Sequence, residues 1–128
     1  MASAVLNYIT VALGGVVGCV ARYGVYQLIQ PFYNRGFPVA TLAINVVGSL
    51  AMGFLFFATL ERATISPAWR AAILAGVLGG FTTYSTFAME TLLLIEDGET
   101  GYAILYVVLS VVLGLTAAFI GAYLARSL

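Results

Sequence analysis

Four apolar stretches, at roughly residues 5–28, 38–60, 67–96 and 101–124, occupy nearly all of this chain. A bilayer-crossing helix needs about 20 apolar residues at a rise of 1.5 Å each, and all four stretches reach that length. In hydrocarbon every backbone N–H and C=O must find a partner, so such stretches fold as helices. Little chain is left for anything else. Of 128 residues, 62% are apolar, five are acidic and five are basic, and the mean hydropathy is +1.07, far from the mix of a soluble domain. The expectation is an all-α membrane protein: one domain over residues 1–128, four transmembrane helices in a lipid bilayer. With zero net charge and no basic cluster, the chain is not expected to take a nucleic-acid partner. Nor does it read as an enzyme, since it has no histidine, no nucleophile–base pair and no metal-ligand cluster. The single Cys19 cannot form an internal disulfide and reads as a small buried residue. The N-terminus lacks a basic segment, so no cleavable signal peptide is expected.

The third stretch differs from the others. Gly79-Gly80-Phe81-Thr82-Thr83-Tyr84-Ser85-Thr86-Phe87 sits in its middle, with Glu90 close behind. Two adjacent glycines weaken a helix, and hydroxyl side chains then compete for backbone partners. The half before them, from the Ser66 cap and Pro67 to about Gly79, is ~20 Å long and too short to span alone. The half from about Ser85 to Glu96 is equally short. The expectation is a third helix broken mid-membrane between about Gly79 and Ser85. Freed backbone groups there cost several kcal/mol each unless protein, water or an ion satisfies them, so such breaks line ion or substrate paths. Glu90 falls on the face of Thr86 and Phe87, inside the membrane or at a vestibule mouth. Asp97-Gly98-Glu99 reads as a turn.

The other three stretches carry polar or small-residue faces. In the first, which Pro31 ends, Gly14, Gly18 and Arg22 recur every four residues on one helix face. The glycines suit close helix packing. Arg22 either snorkels to the interface or faces a wet cavity, and its alignment with the glycines favours the cavity. A linker with Pro31, Asn34, Arg35 and Gly36 precedes Pro38, which opens the second stretch. There Thr41, Asn45 and Ser49 form a polar stripe. One asparagine can simply bond a neighbouring helix, but three polar residues on one face favour a lined path. In the fourth, Tyr106, Ser110 and Gly114 share a face extended by Ala117, Ala118 and Gly121. Ser110 by itself can bond its own helix backbone. Arg62, Arg70 and Arg126 lie on one side of the membrane, and Arg22 and Arg35 on the other. That near balance predicts insertion in both directions, and a dual-topology chain supplies an antiparallel two-fold homodimer.

The run Gly79 to Phe87, with Thr41-Leu42-Ala43-Ile44-Asn45-Val46-Val47-Gly48 and the segment Gly18 to Arg22, resembles the Fluc (CrcB) family of fluoride channels. The likeness covers the whole chain. It implies a dual-topology homodimer in a prokaryotic inner membrane, with two antiparallel pores passing fluoride passively and conferring fluoride resistance. It also implies one structural sodium ion at the dimer centre, held by main-chain carbonyls of Gly79 and Thr82. By motif position the pore aromatics fall on Tyr84 and Phe87 and the pore asparagine on Asn45. The polar track includes Thr41, Ser110 and Glu90, and Arg22 belongs to the vestibule. Two positions depart from the family pattern. Tyr84 stands where phenylalanine is usual, and Gly114 where members often carry a second hydroxyl.

The chemistry agrees with that expectation. Fluoride is small and strongly hydrated, so a selective pore replaces its water with amide and hydroxyl donors. Aromatic edges are electropositive and hold an anion weakly. A proton-coupled small multidrug exporter is the competing class; it requires a mid-membrane acid, and Glu90 is its only candidate. A non-catalytic assembly subunit would account for the glycine faces but not for the polar stripe.

Overall fold

A computed structural model describes residues 1–33, 36–62 and 65–128. Asn34 and Arg35 of the expected linker lie outside the described residues. Four helical spans are long and apolar enough to cross a membrane: Ala2–Phe32, Val39–Glu61, Pro67–Glu96 and Thr100–Ser127. Helix α1 (Ala2–Ile29) runs into a short 3₁₀ turn, Gln30–Phe32, where Pro31 cannot supply a helical N–H. Pro38 precedes α2 (Val39–Glu61), as its fixed φ favours at a helix start. The third span begins with α3 (Pro67–Ala71), whose cap Ser66 accepts a hydrogen bond from the Trp69 N–H. It continues through a π-helical segment, Ala72–Leu78, into α4 (Gly79–Phe81). After Thr82 and Thr83 comes α5 (Tyr84–Glu96), and α6 (Thr100–Ser127) completes the chain. Between α5 and α6, Gly98 takes a φ of 79°, a left-handed turn that other residues rarely adopt. The Glu99 N–H there donates to the Leu94 carbonyl at 2.8 Å.

The spans associate as two close pairs. Helix α1 lies on the first half of the third span, where a β-carbon at Gly14 would collide with the Ala72 carbonyl and one at Gly18 with that of Val77. The third span replies with its own bare positions, Gly76 against the Val11 carbonyl and Gly80 against that of Gly15. The other pair is α2 and α6, where Gly53 meets the Ala118 backbone and Gly121 that of Leu50. These two helices run parallel and keep one offset. Thr41 pairs with Tyr106 through Glu90, Ser49 with Gly114, Gly53 with Ala118, and Glu61 with Arg126. Arg126 also lies 4.0 Å above the Phe57 ring. Helix α5 rests on α6 around Leu94, Ala103 and Tyr106, with Phe37, Leu42 and Phe87 against them. Outward faces stay apolar, as at Val16, Leu115 and Phe119, which suits lipid rather than water as solvent.

Within the stretch expected to break, the two glycines themselves keep the helix. Gly79 and Gly80 are helical, with φ −64° and ψ −36° at Gly79. Extended backbone falls instead on Thr82, at φ −81° and ψ 157°, and on Thr83, at φ −151° and ψ 117°. The glycines serve close approach: a β-carbon at Gly80 would come within 2.9 Å of the Gly15 carbonyl oxygen. Departure from the helix needs partners for the peptide groups it frees, and at Thr83 another helix supplies them.

Candidate functional site

Those partners come from α2. The Thr83 N–H donates to Asn45 Oδ1 at 2.8 Å, and Asn45 Nδ2 donates to the Thr83 carbonyl at 3.0 Å. One side-chain amide thus takes up the Thr83 N–H, which a continuous helix would pair with the Gly79 carbonyl, and adds a donor to the carbonyl that opens α5. Thr83 then caps α5, its Oγ1 accepting from the Thr86 N–H at 3.3 Å and lying 3.0 Å from Thr86 Oγ1. Asn45 therefore has one N–H committed to the backbone, and its second has no partner among the described residues.

One turn before Asn45, Thr41 Oγ1 donates to Glu90 Oε1 at 2.8 Å. From α6, the Tyr106 hydroxyl donates to Glu90 Oε2 at 2.6 Å. Tyr106 and Thr41 are among the largest fully buried side chains, an unusual place for two hydroxyls. Glu90 satisfies both. Tyr106 is a site residue that the sequence did not single out, although its spacing of one turn from Ser110 puts it on the same face. Its ring lies tilted against Phe87 with centroids 5.1 Å apart, and Phe87 lies 5.7 Å from Tyr84. Tyr84 is 80% exposed in the single chain.

Two cavities flank this frame. The first, of about 380 Å³, brings Asn45, Ser49, Tyr84, Phe87 and Ser110 together with Thr82 and Thr83. Ser110 Oγ is buried and has no hydrogen-bond partner among the described residues, so it does not bond its own helix. The second, of about 540 Å³, is lined by Arg22, Gln27, Thr41, Thr83, Ser85 and Thr86 among others. Thr83 borders both. Cys19 also lines the second cavity and is exposed, not buried, because its face of α1 turns towards this opening. Arg22 has its guanidinium 4.0 Å from Cys19 Sγ, with no carboxylate in ion-pair reach among the described residues. The structure thus gathers Asn45, Tyr84, Phe87 and Ser110 in one cavity and Thr41 and Arg22 in the other, with Glu90 tied between Thr41 and Tyr106.

Gly79 and Thr82 contribute through their main-chain carbonyls, although the Thr82 side chain also lines the first cavity. In a continuous helix their carbonyls would accept from the N–H groups of Thr83 and Thr86. Here the first donates to Asn45 and the second to the Thr83 hydroxyl. Both carbonyl oxygens have lost their helical donors. Among the described residues no group of His, Cys, Asp and Glu side chains could hold a metal, so a cation here would depend on main-chain oxygens.

Comparison with known proteins gives a consistent assignment. Residues 9–122 match the family described as CrcB-like protein, Camphor Resistance (CrcB). A protein of Acidithiobacillus ferrooxidans named a fluoride-specific ion channel is 51% identical over 117 residues, covering 91% of this chain and 94% of its own length. A protein of that name from Coxiella burnetii is 44% identical over 124 residues, covering 96% and 100%. Another, from Saccharophagus degradans, is 42% identical over 127 residues, covering 99% and 95%. The names are those of ion channels rather than enzymes. With four membrane-spanning helices and relatives in bacteria, this chain is a multi-pass membrane protein of prokaryotic type. It belongs to the CrcB-like family.

Proposed function

We propose that this chain is a fluoride-selective channel that conducts passively as an antiparallel homodimer. The observation that carries the proposal is the Ser110 hydroxyl, without a partner among the described residues and buried in the cavity that also holds Asn45 and the ring of Phe87. A buried hydroxyl without a partner is costly unless something transient supplies one. Hydroxyl and amide donors with aromatic edges, and no lysine in the chain, suit a small, strongly hydrated anion that must be held and then released. The fluoride-specific name of the relatives points the same way. Arg22 in the second cavity would draw anions towards Ser85 and Thr86, and Thr83 would join the two spaces.

The interruption of the third span at Thr82 and Thr83 would lie within the membrane, and the freed carbonyls of Gly79 and Thr82 fit a sodium ion. A monovalent cation shared across a two-fold axis would engage four such oxygens, two from each protomer, and its role is structural. Antiparallel pairing rests on the nearly even arginine distribution, Arg62, Arg70 and Arg126 against Arg22 and Arg35. A proton-coupled exporter would need an acid free to trade protons with a cationic drug. Glu90 is instead engaged by both Thr41 and Tyr106.

Efflux from proteoliposomes loaded with sodium fluoride or sodium chloride tests the proposal. Fluoride should leave quickly and chloride hardly at all, without any proton gradient. Equal release of both anions, or release only when a proton gradient is imposed, would refute it.

A further inference from the structure

The shared offset of α2 and α6 divides their contact into layers. Thr41 and Tyr106 form one layer around Glu90, and Asn45 and Ser110 line the next. Ser49 and Gly114 follow, and at Gly53 and Ala118 the two backbones touch. Donors therefore run along the pair from Thr41 as far as Ser49. Beyond Ser49 the next layer, Gly53 against the Ala118 backbone, carries no side-chain donor on either helix.

Gly114 makes the Ser49 layer unlike the others. Within 4 Å, a β-carbon at Gly114 would meet only the Ser49 hydroxyl among the described residues, at 3.7 Å. Every other layer carries a side chain on both helices or a closed backbone contact. Here one hydroxyl faces a bare position. Both Ser49 and Ser110 line the 380 Å³ cavity, so the two hydroxyls open on the same space.

We propose that Ser49, facing the bare Gly114, is the terminal donor of the ion path: a subsite for a small hard anion. This rests on the channel reading above. An anion leaving Asn45 and Ser110 has Ser49 as its next hydroxyl on α2. Gly114 leaves the volume in which the ion, or the first water to rehydrate it, stands against that hydroxyl. A strongly hydrated anion cannot pass a donor-free layer without losing solvation, so one hydroxyl on either helix suffices and an apolar layer does not. Ser49 supplies it from α2 where α6 has none.

The experiment is a hydroxyl swap read by fluoride efflux from proteoliposomes, with dimer elution followed for each variant. Ser49→Ala should slow efflux about tenfold, the cost of one lost hydrogen bond to an ion. Gly114→Ala should also slow it, by filling the space opposite Ser49; at 3.7 Å the added methyl makes ordinary contact and leaves the fold intact. The double variant Ser49→Ala, Gly114→Ser, which moves the hydroxyl from α2 to α6, should recover most of the lost rate. Parent-like efflux by Ser49→Ala, or a double variant no faster than Ser49→Ala, overturns the subsite. Absence of fluoride efflux from the unmodified chain would instead refute the channel proposal, so the two failures are distinct.

Discussion

The side-chain amide of Asn45 holds both polar atoms of Thr83's backbone, accepting from its N–H at 2.8 Å and donating to its carbonyl at 3.0 Å. An asparagine expected to serve an ion therefore also serves the backbone. It keeps the third span extended at Thr82 and Thr83 while one amide hydrogen remains for a ligand.

This double role shapes the outcome of Asn45→Asp. The carboxylate would set an oxygen against the Thr83 carbonyl, losing one hydrogen bond and adding a repulsion. We expect fluoride flux to be abolished and the protein to be destabilised by about 1–3 kcal/mol, the cost of an unsatisfied buried group. Thermal unfolding in detergent, measured beside efflux, checks both. A variant as stable as the parent would show that the clamp contributes nothing to the fold.

Phe87 touches Tyr84 on one side and Tyr106 on the other. Phe87→Ile keeps an apolar body of similar bulk but removes the electropositive edge. Flux should fall by about tenfold or more while the dimer still elutes as one species. Tyr106→Phe provides the complement, because it keeps the ring contact with Phe87 and deletes only the hydrogen bond to Glu90. It should cost about 1 kcal/mol in stability. Normal conduction by Phe87→Ile would move the pore elsewhere.

Sodium dependence follows from the main-chain nature of the proposed ligands. Thr82→Ser should leave flux and assembly within about twofold of the parent, since it retains the carbonyl and the hydroxyl. At Gly79 a β-carbon would meet only the Leu74 carbonyl oxygen within its own chain, at 3.8 Å, among the described residues. Loss of dimer in Gly79→Val would therefore point to a contact with the partner rather than to collapse of the protomer. Replacing sodium by a larger monovalent cation should lower dimer stability in size-exclusion profiles. Indifference of both flux and assembly to sodium would remove the metal from Gly79 and Thr82.

Topology is tested by a reporter at the C-terminus. It should appear on both sides of the membrane in comparable amounts. Two lysines added between Glu61 and Arg70 should drive it to one side, because short-loop basic residues set orientation. A single fixed orientation in the unmodified chain would end the case for antiparallel pairing.

Much of the architecture was legible along the chain, because the features that set it are local. A run of apolar residues must be helical in lipid whatever its neighbours do, and Pro38, the Ser66–Pro67 cap and Gly98 mark helix boundaries by their own backbone chemistry. The bare faces of Gly14, Gly18 and Gly121 were legible for the same reason, since spacing by helical turns places them without knowledge of the partner. Tertiary structure decided where the third span leaves the helix. Local propensity pointed to Gly79 and Gly80, yet these stay helical and accommodate α1. The extended residues are Thr82 and Thr83, because that is where an amide from another helix takes up the freed Thr83 N–H. It also decided that Glu90 joins Thr41 to Tyr106, and that Ser49 faces an empty position at Gly114. Each depends on the offset between α2 and α6, set by backbone contact at Gly53 and Ala118. A sequence shows which face a polar residue occupies, but only packing determines the level at which two such faces meet.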